Sequence, residues 1–139
     1  MDLGNLRVGD VMTTEVRAVG RNDALSLPDD LMRDERIRHL PVLDSDGVLC
    51  GILTQRDLFR GALLRSLGFG SRAEERLLET MVVKDAMTED PLTATPEMPL
   101  HEAARLMLER KVGCLPVVDG ERLVGILTES DFVAMVARD

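Results

Sequence analysis

The chain carries one pattern twice. Val8-Gly9-Asp10-Val11-Met12-Thr13 returns as Val83-Lys84-Asp85-Ala86-Met87-Thr88, a shift of 87 − 12 = 75 residues. His39-Leu40-Pro41-Val42-Leu43-Asp44 returns as Cys114-Leu115-Pro116-Val117-Val118-Asp119, and Gly51-Ile52-Leu53-Thr54-Gln55-Arg56-Asp57 as Gly125-Ile126-Leu127-Thr128-Glu129-Ser130-Asp131. Three blocks in one order imply two copies of a single unit. A unit this small cannot bury its apolar face alone, so the copies are expected to stack with approximate twofold symmetry. Function is then sought in what both copies keep.

The 139 residues, 45% hydrophobic and 30% charged, suffice for a packed core. A net charge of −8 argues against a broad basic face for nucleic acid. It leaves room for one small anion held by a few local cations. No apolar run approaches the ~18 residues of a membrane span, and the N-terminus lacks the pattern of a signal peptide. Cys50 and Cys114 are not repeat-equivalent and show no metal spacing, which suits small buried hydrophobes in a reducing compartment. A cytoplasmic location is the expectation.

Each copy reads as β-α-β-β-α, an α+β unit. In the first, residues 15–19 read as a strand and a helix follows to about Arg36. Residues 40–43 and 48–53 form a hairpin around Asp44-Ser45-Asp46-Gly47, whose Asp and Gly suit a turn. Thr54 opens a helix to about Leu67. The second copy gives a strand at 92–94, a helix at 99–111, a hairpin turning at Asp119-Gly120 and a helix at 129–138. Gly68-Phe69-Gly70-Ser71 breaks the first copy, and Ser71-Arg72-Ala73-Glu74 resembles a capping box opening a helix over 72–80. The expected boundaries are 1–68 for the first copy, 69–82 for the link and 83–139 for the second. The closing helices are too apolar for one buried face, with residues 132–137 consecutively apolar. They are expected to pack on the other copy and on a second subunit. Pro28 cannot sit inside a helix begun after Asp23, so that helix is expected to start near Ser26 or Leu27.

The sharpest chemical signal is Gly-Ile-Leu-Thr-x-x-Asp, where a strand becomes a helix. Thr54 and Thr128 fall at N-cap positions, where unpaired amides and the helix dipole make an anion site. Asp57 and Asp131, one turn inside, can accept from the two vicinal hydroxyls of a ribose. The same Thr-x-x-Asp spacing is also a capping box in which the acid satisfies its own backbone. Both readings stay open on the residues alone. His39 faces the same corner, His101 reads as a solvated residue in a first helical turn, and Met12 and Met87 read as packing. No nucleophile triad, HExxH helix or CxxC pair is present.

These blocks resemble a tandem pair of CBS domains, the module named from cystathionine β-synthase, over nearly the whole chain. The resemblance implies two repeats with clefts that take an adenosine-containing ligand: AMP, ADP, ATP, NAD or S-adenosylmethionine, with AMP or ATP foremost. It places Thr128, Ser130 and Asp131 at the ribosyl phosphate of the second copy, with Thr54, Arg56 and Asp57 as their first-copy counterparts. Arg56 replaces the Ser and either meets a phosphate or is solvated. Ile37, His39, Leu40 and Pro41, and Val112, Cys114, Leu115 and Pro116, are expected to border the base. The implied protein is a regulatory Bateman module, not an enzyme. It needs no cofactor, forms a homodimer and acts on a separate regulated protein. The alternative is a dimerisation or interaction module with vestigial clefts.

Overall fold

The computed structural model describes residues 3–66, 76 and 78–138. The Gly68-Phe69-Gly70-Ser71 break, its capping box and the first part of the expected connecting helix lie outside them; residues 76 and 78–80 are helical. The chain divides into two compact units, Arg17–Asp90 and Met1–Val16 with Pro91–Asp139. These cut the chain at other places than the repeat boundaries read from sequence. Val8–Thr13 joins the second copy's hairpin, and Val83–Thr88 joins the first copy's.

In Arg17–Asp90, β1 (Val19–Gly20) runs parallel to β2 (His39–Leu43), which pairs antiparallel with β3 (Leu49–Thr54), and β4 (Thr88–Glu89) closes the other edge. The strand expected at 15–19 contracts to Val19–Gly20, because this edge segment has only β2 to bond with. The hairpin turns as its chemistry predicts. Asp44 Oδ1 accepts from the amides of Asp46 and Val48, and Gly47 takes φ +79°. The preceding helix α2 spans Ser26–Glu35, with Pro28 buried in its first turn. There proline's missing amide costs no helical bond. Leu25, Met32, Leu40, Val42, Leu53 and Val83 form the core of this unit.

The discontinuous unit repeats the plan. A short helix α1 (Val8–Val11) leads to Thr13, which exchanges two 2.9 Å backbone hydrogen bonds with Ile126. That pairing matches Thr88 opposite Ile52 in the other unit. Helix α4 (Leu100–Arg110) precedes the hairpin β5 (Cys114–Asp119) and β6 (Arg122–Thr128). The strand expected at 92–94 is a single parallel bridge, Ala94 to Val117. Val8, Ala103, Leu115, Val117 and Leu127 lie in a separate core. Both helices that precede the hairpins end in a left-handed basic residue, Arg36 at φ 56° and Lys111 at φ 55°.

Two glycines explain why the Met-Thr strips sit where they do. A Cβ on Gly125 would stand 2.6 Å from Met12 Sδ and 3.0 Å from the Thr13 carbonyl oxygen. A Cβ on Gly51 would meet Met87 and Thr88 at the same distances. Each strip lies directly on a bare backbone, next to a register shift in the hairpin at Val42/Leu43 or Val117/Val118. Only glycine permits that approach.

The closing helices are less covered than their composition suggests. On α5 (Glu129–Ala137), Phe132 and Met135 pack on the core, while Val133 and Val136 are 68% and 66% exposed. On α3 (Gln55–Ser66), Leu58 is buried and Phe59 is 63% exposed.

Candidate functional site

Both Thr-x-x-Asp corners are built as capping boxes. The Thr54 amide donates to Asp57 Oδ2 at 3.1 Å, and the Asp57 amide donates to Thr54 Oγ1 at 3.0 Å. In the second copy the Thr128 amide donates to Asp131 Oδ2 at 2.8 Å. The first helical amides are also occupied. Gln55 donates to the Arg38 carbonyl at 2.8 Å and Glu129 to the Gly113 carbonyl at 3.2 Å. The anion-binding capacity expected of a bare helix start is therefore largely taken up by the protein. The strand edge runs so close to the corner that its carbonyl reaches the first amide.

The acids keep spare acceptors. A carboxylate offers about four lone-pair positions. Among the described residues no donor reaches Asp57 Oδ1. Asp131 Oδ1 accepts from the Thr13 hydroxyl at 2.8 Å, which leaves this oxygen one further position. Asp131 is half-buried at the edge of a cavity of about 460 Å³. Residues 10–13 form one wall, and Asp131, Ala134, Met135 and Arg138 the other. Residues from both sequence copies thus line one pocket inside one compact unit. Sequence reasoning missed the first wall. Val-x-Asp-x-Met-Thr was legible as a repeated block, but Met12 read only as packing and Thr13 had no assigned role.

The remaining residues read from sequence divide by exposure. Arg56 and Ser130 are exposed beside their acids. Ile37 and Val112 are half-buried and pack against the two cores. His39 is half-buried, and His101 is exposed. Leu40, Pro41, Leu115 and Pro116 are all below 2% exposure, so their side chains offer no surface to a ligand in this structure. A strand covered on both faces buries successive residues, not alternate ones. Cys114 is buried too, and desolvation pushes its thiol up to about 12. Burial also raises the Cys50 thiol, with Asp44 and Glu89 adding to the rise and Arg21 opposing it. Among the described residues, no group of three His, Cys, Asp or Glu side chains is placed to hold a metal ion. No helix among them is long and apolar enough to cross a membrane.

Two copies of a β-α-β-β-α unit, each closing on a Thr-x-x-Asp corner, define a tandem-repeat module. The CBS domain profile matches residues 8–63 and 83–138, and the chain belongs to that family. The AcuB protein of Vibrio cholerae superposes with TM-score 0.81 at 34% identity, covering 96% of this chain and 91% of that one. CBSX2 of Arabidopsis thaliana, solved in complex with AMP, gives 0.77 at 32% identity, with 96% and 98% covered. The CBS domain pair of MJ0100, solved with 5′-methylthioadenosine and S-adenosyl-L-methionine, gives 0.78 at 25% identity, with 94% and 99% covered. The homoserine O-acetyltransferase of Methanococcoides burtonii is 32% identical over 135 residues. That match takes in 96% of this chain but only 25% of the transferase's length.

Proposed function

We propose that this CBS pair is a non-catalytic sensor of an adenosine-containing ligand, with AMP or ATP foremost, that signals to a separate protein. The observation that carries the reading is Asp131: a carboxylate at a cavity edge, oriented by Thr128 and Thr13, with acceptor capacity left for a ribose hydroxyl. Two CBS-pair structures of 25% and 32% identity that hold adenosyl compounds support it. Thr128 and Ser130 lie beside the acid and would approach the 5′ substituent, with Val112 and Cys114 toward the base. Thr54, Arg56 and Asp57, with Ile37 and His39, form the weaker first-copy counterpart. A thermal-shift panel of AMP, ADP, ATP, NAD and S-adenosylmethionine tests the reading. A ligand at 100 times its Kd stabilises the fold by about 2.7 kcal/mol. Asp131→Ala should abolish most of that rise and Asp57→Ala less. A panel that leaves the melting curve unmoved at millimolar concentration refutes the reading.

A second reading, a dimerisation module without ligand, is favoured by one observation. The acids already serve as caps, while Val133 and Val136 stand exposed on the last helix. It predicts a stable dimer indifferent to nucleotides. The two readings share the homodimer and part on the thermal-shift panel.

A further inference from the structure

The first-copy corner carries a cluster of positive charge that the second lacks. Arg36 caps α2, Arg38 precedes β2, and Arg56 and Arg60 stand one turn apart on α3. The 2.8 Å bond from the Gln55 amide to the Arg38 carbonyl brings the link between α2 and β2 against the start of α3. All four arginines are exposed, and Ile37, between the first two, packs on the core. The matching second-copy positions are Lys111, Gly113, Ser130 and Ala134; Gly113 accepts from the Glu129 amide as Arg38 does from Gln55. One corner presents four cations and the other a single lysine. The chain has 25 acidic and 17 basic residues, yet among the described residues none of these four guanidinium groups makes a hydrogen bond or ion pair. Neighbouring acids are engaged elsewhere: Glu35 with Arg17 at 2.8 Å, Asp29 and Asp30 with Arg33, and Asp57 Oδ2 with the Thr54 amide. Of the α2 carboxylates, Asp34 alone makes no such pair among the described residues.

We infer that this arginine face docks a short acidic segment of the separate protein on which the module acts, seating the partner beside the first-copy corner. The inference rests on the proposed signalling to such a protein. Arg56 and Arg60 are about 6 Å apart along the axis of α3. Carboxylates on one face of an extended peptide recur every ~6.6 Å, so a row of them matches that spacing. Each guanidinium can take one carboxylate in a bidentate pair. Charge complementarity also steers the approach of an acidic segment. A nucleic acid would have to continue past the four arginines over a chain of net charge −8, which repels its phosphates. A short acidic peptide engages the cluster and ends with it.

Fluorescence anisotropy of labelled octaglutamate with the full chain tests this. A patch variant combines Arg36→Asn, Arg38→Ser and Arg60→Ala, none of them a residue assigned to the nucleotide; Asn suits the left-handed backbone at position 36. A control variant combines Arg105→Ser, Arg110→Ser and Arg122→Ser, removing the same charge from exposed second-copy positions. Octaglutamate should bind wild type and the control alike, and the patch variant about tenfold more weakly, as the loss of three exposed charge pairs predicts. Added salt should weaken wild-type binding. Arg38→Glu alone should weaken it too, at an unchanged melting temperature. Absence of binding to wild type, or equal loss in the patch and control variants, overturns the docking face. Tighter patch-dependent binding of labelled oligothymidine overturns the acidic peptide as the partner class. Failure of octaglutamate with the nucleotide thermal shift intact removes the docking face alone. Patch-dependent binding with no nucleotide shift removes the ligand sensing and supports the docking face.

Discussion

The hydroxyl of Thr13 donates to Oδ1 of Asp131 at 2.8 Å, across 118 residues of chain. This bond ties the repeated Met-Thr strip of one sequence copy to the helix corner of the other. No equivalent from Thr88 to Asp57 occurs among the described residues, so the two corners are equal in backbone and unequal in side-chain support. A double-mutant cycle between Thr13→Val and Asp131→Asn, read by urea unfolding, should give a coupling of about 1 kcal/mol. The matching cycle between Thr88→Val and Asp57→Asn should give a value near zero. Equal couplings in the two corners would contradict the asymmetry.

Packing of methionine on glycine should make Gly125→Ala and Gly51→Ala costly. The new methyl meets a sulfur, which can swing away, and a carbonyl oxygen, which cannot without disturbing the strand pairing. Overpacking of this kind costs about 1–3 kcal/mol. Adding Met12→Ala to Gly125→Ala should recover part of the loss but not all, because the Thr13 carbonyl remains. Chemical denaturation of the single and double variants measures it. Full stability in Gly125→Ala would show that the strip has room to move.

The Cys114 thiol gives the fold an alkaline liability. Its folded value is pushed up from 9.0 to about 12 by desolvation, so folding favours the protonated form. Below about pH 9 both states hold the proton and this contribution is complete. Between about 9 and 12 the unfolded chain releases it while the folded chain holds it, so stability falls as pH rises. Cys114→Val should flatten that decline in urea titrations between pH 8 and 10.5. In native protein at pH 8, mass spectrometry should find iodoacetamide on half-buried Cys50 before Cys114.

Exposure of Val133 and Val136 is the structural basis for the proposed homodimer. Val133→Lys combined with Val136→Lys should yield a folded monomer by sedimentation at concentrations where wild type is dimeric. The paired lysines change an exposed face, so circular dichroism and the intramolecular melting transition should persist. A wild type that sediments as a monomer at every concentration would remove the dimer from the proposal.

Much of this was legible in the residues. Asp44-Ser45-Asp46-Gly47 and Asp119-Gly120 announced their hairpins, Pro28 fixed the start of α2, and Thr-x-x-Asp marked both corners. The partner of the Met-Thr strip was not legible. Thr13 and Thr88 have near-identical neighbours, and periodicity says which face a residue prefers without saying which copy supplies the opposite face. The depth of Leu40 and Leu115 was missed for a related reason. A short apolar strand reads the same whether it walls an open slot or is sealed on both sides. Arg138 carried no motif at all. Its place on the same pocket wall as Asp131, two helical turns further on, follows from helical geometry, and the facing wall arrives from the far end of the sequence.

Arg17–Asp90 is continuous, while Met1–Val16 must await Pro91–Asp139. During synthesis the inserted unit can therefore complete itself once residue 90 has left the ribosome. Residues 1–16 stay without their hairpin until residues 114–128 have emerged as well. Nascent chains arrested beyond residue 90 are expected to protect Leu53 from protease while Val8 is still cut, and simultaneous protection of both would show that the order of emergence does not govern assembly.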